Sequence, residues 1–150
     1  MGLGKQSKVL NKNQIQMVST YLRSKRNGLR NQTIFLLSVK CGLRSKEISQ
    51  LSWKEVCNSN GEVDSYISLT NRSSKGLSGR IIPLHKDVRN NLIELLDIHK
   101  QYYGFDIDSS FVVRTERSPF TTSQTVVNMF QKWYRTLGLV GCSSHSGRRT

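Results

Sequence analysis

Cysteine is scarce in this sequence of 150 residues, where Cys41, Cys57 and Cys142 are the only three. They are too few and too scattered for the disulfide framework of a small secreted protein. The sequence also lacks a long apolar run that would cross a membrane, and it lacks an apolar segment with a small-residue cleavage site near Met1. These absences argue against the secreted and membrane-spanning classes, so we expect a reduced, cytoplasmic protein.

Acidic residues are also scarce. Ten Asp and Glu stand against 23 Lys and Arg, which gives a formal net charge of +13 at pH 7. An excess of this size attracts polyanions, and nucleic acid is the commonest such partner of a small basic protein. An anionic membrane surface or an acidic protein would also suit the charge, but the predicted helices place few cations opposite their apolar stripes. We therefore expect a nucleic-acid partner, a location on DNA or the nucleoid, and no membrane.

The first part of the sequence has the patterns of helices. In "LNKNQIQMVSTYLR", Asn11 can cap a helix and Gln14 can complete a capping box. After the basic connection "SKRNGLRN", the run "TIFLLSVKCG" is apolar on nearly every side and predicts a buried helix ending at Gly42. Ser45 can then cap a short helix through "SKEISQLSW".

The second part introduces β-structure. "DSYISLT" alternates in polarity and "RIIPL" is β-branched, so the turn-like "NRSSKGLSG" between them predicts a hairpin with a long loop. Asp87 can cap the next helix, "SSFVV" is a short extended stretch, "TTSQTVVNMFQKWYRTLG" predicts a helix ending before Gly138, and "SSHSGRRT" opens another. The expected fold class is α+β, mainly helical with one small antiparallel sheet, in a single domain from residue 10 to 150 behind a basic tail at 1–9.

Arg44 is the first candidate for a functional side chain. It lies in the turn between two predicted helices, where a rigid base would present its guanidinium to phosphate oxygens. Taken alone, Arg44 is also consistent with a surface arginine near a helix start. Glu47, one helical turn later, either orients a nearby basic group or serves the helix N-terminus.

Three further candidates lie on predicted turns. Lys75 is at the hairpin tip, where an ammonium can contact a phosphate or donate a proton. His145 and Arg148 are three residues apart, so on a first helical turn they point the same way and form an oxyanion site. Each of these is, alone, also consistent with a solvated side chain. Cys142 and His145 have half the spacing of a zinc site, but the other half is missing, so we expect no metal and no cofactor.

The order of these segments is more specific than any one of them. A buried helix is followed by G-L-R-x-x-E-I-x-x-L-x-W, then by a hairpin with K-G and R-I-I-P-L, then by H-x-x-R after a helix that ends at glycine. From about Leu10 to Thr150, this order resembles the catalytic domain of the tyrosine recombinases, the phage integrase family. The resemblance implies that family's fold, and site-specific recombination or integration of double-stranded DNA through a 3′-phosphotyrosine intermediate.

The resemblance also implies a role for each candidate residue. Arg44, His145 and Arg148 would contact the scissile phosphate. Lys75 would be the general acid for the leaving 5′ hydroxyl, and Glu47 would support the site. Two arginines and a histidine can offset the negative charge that builds on the phosphate oxygens without a metal.

The nucleophile is the piece that this sequence lacks. In the family, the nucleophilic tyrosine follows H-x-x-R by a few dozen residues, whereas here the sequence ends two residues after Arg148. We therefore expect that the C-terminal part of the fold is missing, that this chain binds DNA but is inactive alone, and that the full-length protein self-associates on DNA. A basic nucleic-acid-binding module without catalytic ancestry is the alternative, and it fits the composition equally well.

Overall fold

The computed structural model describes residues 8–70 and 79–147. Within these ranges the chain forms six α-helices and one two-stranded antiparallel sheet. In chain order they are α1 (Lys12–Arg23), α2 (Gly28–Val39), α3 (Ser45–Gln50), α4 (Trp53–Val56), β1 (Tyr66–Leu69), β2 (Arg80–Pro83), α5 (Lys86–His99) and α6 (Ser123–Thr136). This architecture confirms the expected class, mainly helical with one small antiparallel sheet.

Helix α1 begins as its sequence predicts. The Asn11 side chain accepts a hydrogen bond from the Gln14 amide at 2.8 Å, and the Gln14 side chain accepts one from the Asn11 amide at 2.9 Å. This reciprocal capping box satisfies two amides that the first helical turn leaves unpaired. Val18 and Leu22 then face inward and are fully buried, so α1 packs along α2.

Helix α2 is the central element of the core, with α1 on one side and α5 on another. It begins at Gly28, inside the segment predicted as a connection, because a glycine there lets the backbone approach Arg23 where a Cβ would clash.

The last helical residue of α2 is Val39, three residues before the predicted end. Gly42, with φ of 72°, ends the helix through bonds from the Gly42 amide to the Ser38 carbonyl and from the Leu43 amide to the Leu37 carbonyl. This left-handed turn at Gly42 fixes the direction in which the chain leaves α2.

Two predicted N-caps are wrong by one or two positions. Ser45 is the first residue of α3, and Arg44 occupies the cap position. Asp87 lies in the first turn of α5, whereas His85 is the cap and accepts the Asp87 amide on Nδ1 at 3.2 Å. The predicted helix through "SKEISQLSW" is also split, since α3 ends at Gln50 and α4 starts at Trp53. A longer-range bond explains the break, because the Val112 amide donates to the Leu51 carbonyl at 2.9 Å.

The remaining elements lie close to their predicted positions. The hairpin pairs Tyr66 with Pro83 and Leu69 with Arg80. Helix α6 is capped by Thr122, ends before Gly138 at φ of 71°, and packs on α3. Within the stretch predicted as "SSFVV", Phe111 forms an isolated antiparallel bridge with Ser52. No helix within residues 8–70 and 79–147 is long and apolar enough to span a bilayer.

His99, at the end of α5, makes the stability of this fold sensitive to pH. Its Nδ1 accepts a hydrogen bond from the Trp53 indole at 3.0 Å, so the ring is held neutral. Burial, and then the positive charge of Arg114, lower the pKa of His99 from 6.5 to about 4. Between these two pH values the unfolded chain takes up a proton that the folded chain does not, so lowering the pH favours unfolding.

We predict that a His99→Gln variant, which keeps an acceptor for Trp53, loses this pH dependence. The free energy of unfolding of the wild type should fall by roughly 2 kcal/mol more than that of the variant between pH 6.5 and pH 4. Urea unfolding at several pH values measures the free energy of unfolding of both proteins as a function of pH. Above pH 7 the difference in this free energy between the wild type and the variant should be constant. Parallel curves down to pH 4 would contradict the prediction.

Candidate active site

Glu47, on α3, is a buried carboxylate with three hydrogen bonds. Only 1% of its side chain is exposed. Its Oε1 accepts the backbone amide of Arg44 at 2.9 Å and Nη2 of Arg80 at 3.0 Å, and its Oε2 accepts Nη1 of Arg80 at 2.6 Å. A buried carboxylate is stable only with a counter-charge and satisfied lone pairs, and Arg80 supplies both in a bidentate pair. Glu47 therefore connects the start of α3 to the start of β2.

Arg44 is held by its backbone and presents its side chain to solvent. Its amide is fixed on Glu47, and its position follows directly from the turn at Gly42 that ends α2. About 41% of the side chain is exposed. Nη1 of Arg44 lies 3.8 Å from Oε2 of Glu47, beyond hydrogen-bond distance. A fixed backbone with an open guanidinium is the arrangement that bidentate binding of an anion requires.

Arg80 is a candidate site residue that the sequence patterns did not predict. It is the first residue of β2, lies opposite Leu69 and has 38% of its side chain exposed. The sequence does contain a signal that Glu47 has a basic partner. Glu47 is next to the apolar Ile48 in a chain with few acidic residues, and a carboxylate that is buried in such a place needs a positive charge beside it. The identity of that partner depends on tertiary structure, because 33 positions separate the two residues.

A second buried glutamate, Glu55 on α4, fixes the other strand of the hairpin. Its Oε1 accepts the amide and hydroxyl of Ser52 at 2.9 and 3.1 Å. Its Oε2 accepts the Thr70 amide at 3.0 Å, just after β1 ends. The hairpin is thus held by Glu55 where β1 ends and by Glu47 where β2 begins. Lys75, between these two points, lies outside the described residues.

The predicted H-x-x-R segment begins in a turn over residues 143–147. The Ser143 hydroxyl accepts the His145 amide at 3.2 Å, and the Ser146 hydroxyl accepts the Ser143 amide at 2.9 Å, which is the reciprocal pattern of a helix start. His145 is exposed. Arg148 lies outside the described residues.

The turn at 143–147 rests on the carboxyl end of α2. The Ser38 hydroxyl donates to the Ser144 carbonyl at 3.5 Å. Gly147 approaches so closely that a Cβ there would clash with the side chain of Val39. The end of α2 therefore positions both Arg44, through the turn that follows the helix, and the segment that contains His145.

The five tyrosines are all in the described part of the chain, and none lies on α3 or in the turn at 143–147. Tyr134, on α6, is 1% exposed, and burial raises the pKa of its hydroxyl far above the ordinary value. Tyr66 is on β1, Tyr21 is on α1, and Tyr102 and Tyr103 follow α5. Over residues 8–70 and 79–147, no three His, Cys, Asp or Glu side chains converge as metal ligands.

Solved recombinases share this fold. The XerA recombinase matches with a TM-score of 0.74 and 18% identity, over 95% of this chain and 48% of that protein. The Tn1549 transposon integrase in complex with circular-intermediate DNA gives 0.68 and 17%, over 95% and 50%. A lambda integrase dimer bound to a COC′ core site gives 0.65 and 20%, over 95% and 39%. The chain thus spans about half, or less, of each solved protein.

The family follows from the sequence itself. Residues 8–150 match the phage integrase family, and this chain belongs to it. A search of the curated proteins finds no match.

We predict that Glu47→Ala destabilises the fold more than the loss of an exposed acid does. The substitution leaves Arg80 without its partner and the Arg44 amide without an acceptor, at an expected cost of about 3 kcal/mol in the free energy of unfolding. The matched control is Glu94→Ala, which removes a 2.8 Å ion pair to Arg23 whose side chains are 59% and 41% exposed, respectively. That control should cost about 0.5 kcal/mol. Urea unfolding compares the two, and equal losses would contradict the structural role of Glu47.

Proposed function

We propose that this chain supplies the phosphate-activating part of a DNA recombinase, which cleaves and rejoins DNA at specific sites through a 3′-phosphotyrosine intermediate. The observation that carries the proposal is the exposed guanidinium of Arg44 on a backbone fixed by the buried carboxylate of Glu47. A simple basic binding surface does not require a guanidinium to be held in this way. Membership of the phage integrase family supports the same function.

In the proposed reaction, a tyrosine hydroxyl loses its proton to solvent, its oxygen attacks the scissile phosphorus, and the bond from phosphorus to the 5′ oxygen breaks. Lys75 donates a proton to the leaving 5′ oxygen, and the broken strand stays attached as a 3′-phosphotyrosine. A 5′ hydroxyl then attacks the phosphotyrosine, releases the tyrosine and restores the phosphodiester. Because one phosphodiester is exchanged for another, rejoining needs no nucleotide cofactor.

Arg44, His145 and Arg148 stabilise the charge that builds on the non-bridging oxygens during this attack. Two guanidiniums and an imidazole donor, aimed at oxygens whose negative charge increases, lower the barrier by electrostatic stabilisation. Glu47 contributes by holding the Arg44 backbone rather than by touching the substrate. The position of His145 on the turn at the end of α2 supports its place beside Arg44.

None of the five tyrosines in this chain acts as the nucleophile in our proposal. The burial of Tyr134 supports this, as does the location of the other four on α1, on β1 and after α5. Residues 1–150 alone therefore bind double-stranded DNA without cleaving it. The partners that we propose are DNA and further copies of the protein on DNA, in the cytoplasm.

We predict that Arg44→Ala and Arg148→Ala each weaken the binding of inorganic phosphate about tenfold, which is the expected loss of a charge-assisted hydrogen bond. The matched control is Arg117→Ala, since Arg117 is exposed and the substitution removes the same charge. Phosphate titrations followed by NMR at low salt measure all the affinities, and the control should change by less than about twofold.

Equal effects of the three substitutions would contradict the proposal, because charge alone would then account for binding. The chain would in that case be a basic nucleic-acid-binding module without an ordered site. Salt dependence of DNA affinity does not separate the two functions, since both rely on phosphate neutralisation.

A further inference from the structure

Two arginines share the single carboxylate of Glu47, and they share it unequally. Arg80 makes hydrogen bonds to both oxygens, at 2.6 and 3.0 Å. The guanidinium of Arg44 comes no nearer than 3.8 Å, and only its backbone amide is bonded to the carboxylate. The carboxylate is thus satisfied by Arg80 and by the Arg44 backbone, and the Arg44 side chain keeps an ion-pair contact at 3.8 Å without a hydrogen bond to it.

This division matters because Glu47 is a competitor for Arg44. A carboxylate and a phosphate each present two oxygens that a guanidinium can bind through paired N–H groups. Glu47 is also permanently present, whereas a substrate phosphate must be captured from solution. If Arg44 bound Glu47 in the bidentate mode, a phosphate would have to displace that ion pair before it could bind.

Removal of Arg80 would create this competition. Oε2 of Glu47 would lose its 2.6 Å donor, and a buried charge without a partner is strongly destabilised. Nη1 of Arg44 already lies 3.8 Å from that oxygen, so a shift of roughly 1 Å brings it to hydrogen-bond distance. A side chain that is 41% exposed has the freedom to make that shift.

We propose that Arg80 is a positioning residue that keeps Arg44 available for phosphate by occupying the carboxylate of Glu47. This inference rests on the proposed function, in which Arg44 contacts the scissile phosphate. Arg80 acts through Glu47 and does not itself need to touch the substrate. The hairpin strand β2 thereby becomes part of the phosphate site, although its first residue is 36 positions from Arg44.

A double-mutant cycle tests the proposal. The variants are Arg80→Met, Glu47→Gln and the two combined, and the probe is inorganic phosphate titrated by NMR with the Nε–Hε signal of Arg44 as the readout. We expect Arg80→Met to weaken phosphate binding about tenfold when Glu47 is present, because Arg44 then pairs with the carboxylate. In the Glu47→Gln background the same substitution should weaken binding less than about threefold, since an amide does not capture the guanidinium.

A simple loss of positive charge gives a different result. It lowers phosphate affinity by the same factor in both backgrounds, and that outcome would overturn the proposal. If Arg44→Ala does not weaken phosphate binding at all, the proposed function is contradicted, and the role of Arg80, which rests on it, is contradicted as well. If Arg44→Ala weakens binding but the cycle shows no coupling, the proposed function stands and the role of Arg80 fails.

Arg80→Lys provides a second variant in case Arg80→Met does not fold. A lysine keeps the charge but offers a compact ammonium that cannot bind both oxygens in the planar mode. We expect it to weaken phosphate binding about threefold with Glu47 present and to have no effect in the Glu47→Gln background. Thermal unfolding of every variant identifies the folded ones, and an equal effect of Arg80→Lys in both backgrounds would again overturn the proposal.

Discussion

The site depends on one buried carboxylate. Glu47 is 1% exposed, and its three hydrogen bonds join the turn after α2, the start of α3 and the start of β2. Burying a charge in this way is unfavourable unless every partner is in place, so the three segments must adopt one arrangement together. Arg44 gains a fixed backbone from this constraint, while the solvent-facing side of its guanidinium stays open.

The hydrophobic core positions the segments that surround this carboxylate. Helix α2 packs between α1 and α5, and its carboxyl end is followed by the left-handed turn at Gly42 that leads into Arg44. The same end receives the turn at 143–147 through Ser38 and the close approach of Gly147. A helix that is buried on most sides has little freedom to move, so groups placed at its end keep their relative positions. This explains how segments about one hundred residues apart come to lie at the same end of one helix.

Local signals in the sequence predicted much of the fold. The capping box at Asn11, the apolar run of α2 and the terminating glycines at 42 and 138 each act over a few residues, and the structure confirms them. The caps at Ser45 and Asp87 were wrong because several polar residues compete near a helix start. The pairing of Arg80 with Glu47 was not predicted, because the pairing of two strands and not a local sequence pattern brings the two residues together. The catalytic roles of all five candidate residues remain predictions from the family resemblance: Arg44, Glu47, Lys75, His145 and Arg148.

Strand cleavage is the central claim, and covalent trapping tests it most directly. Nicked DNA duplexes with randomised central sequences would be incubated with residues 1–150 and with any longer product of the same reading frame, each in its wild-type form and with Arg44→Ala. The proposed function predicts that residues 1–150 bind the duplexes without an adduct, and that a product which includes a nucleophilic tyrosine forms a denaturant-resistant adduct that Arg44→Ala abolishes. An adduct from residues 1–150 alone, or an adduct that forms equally well without Arg44, would contradict it.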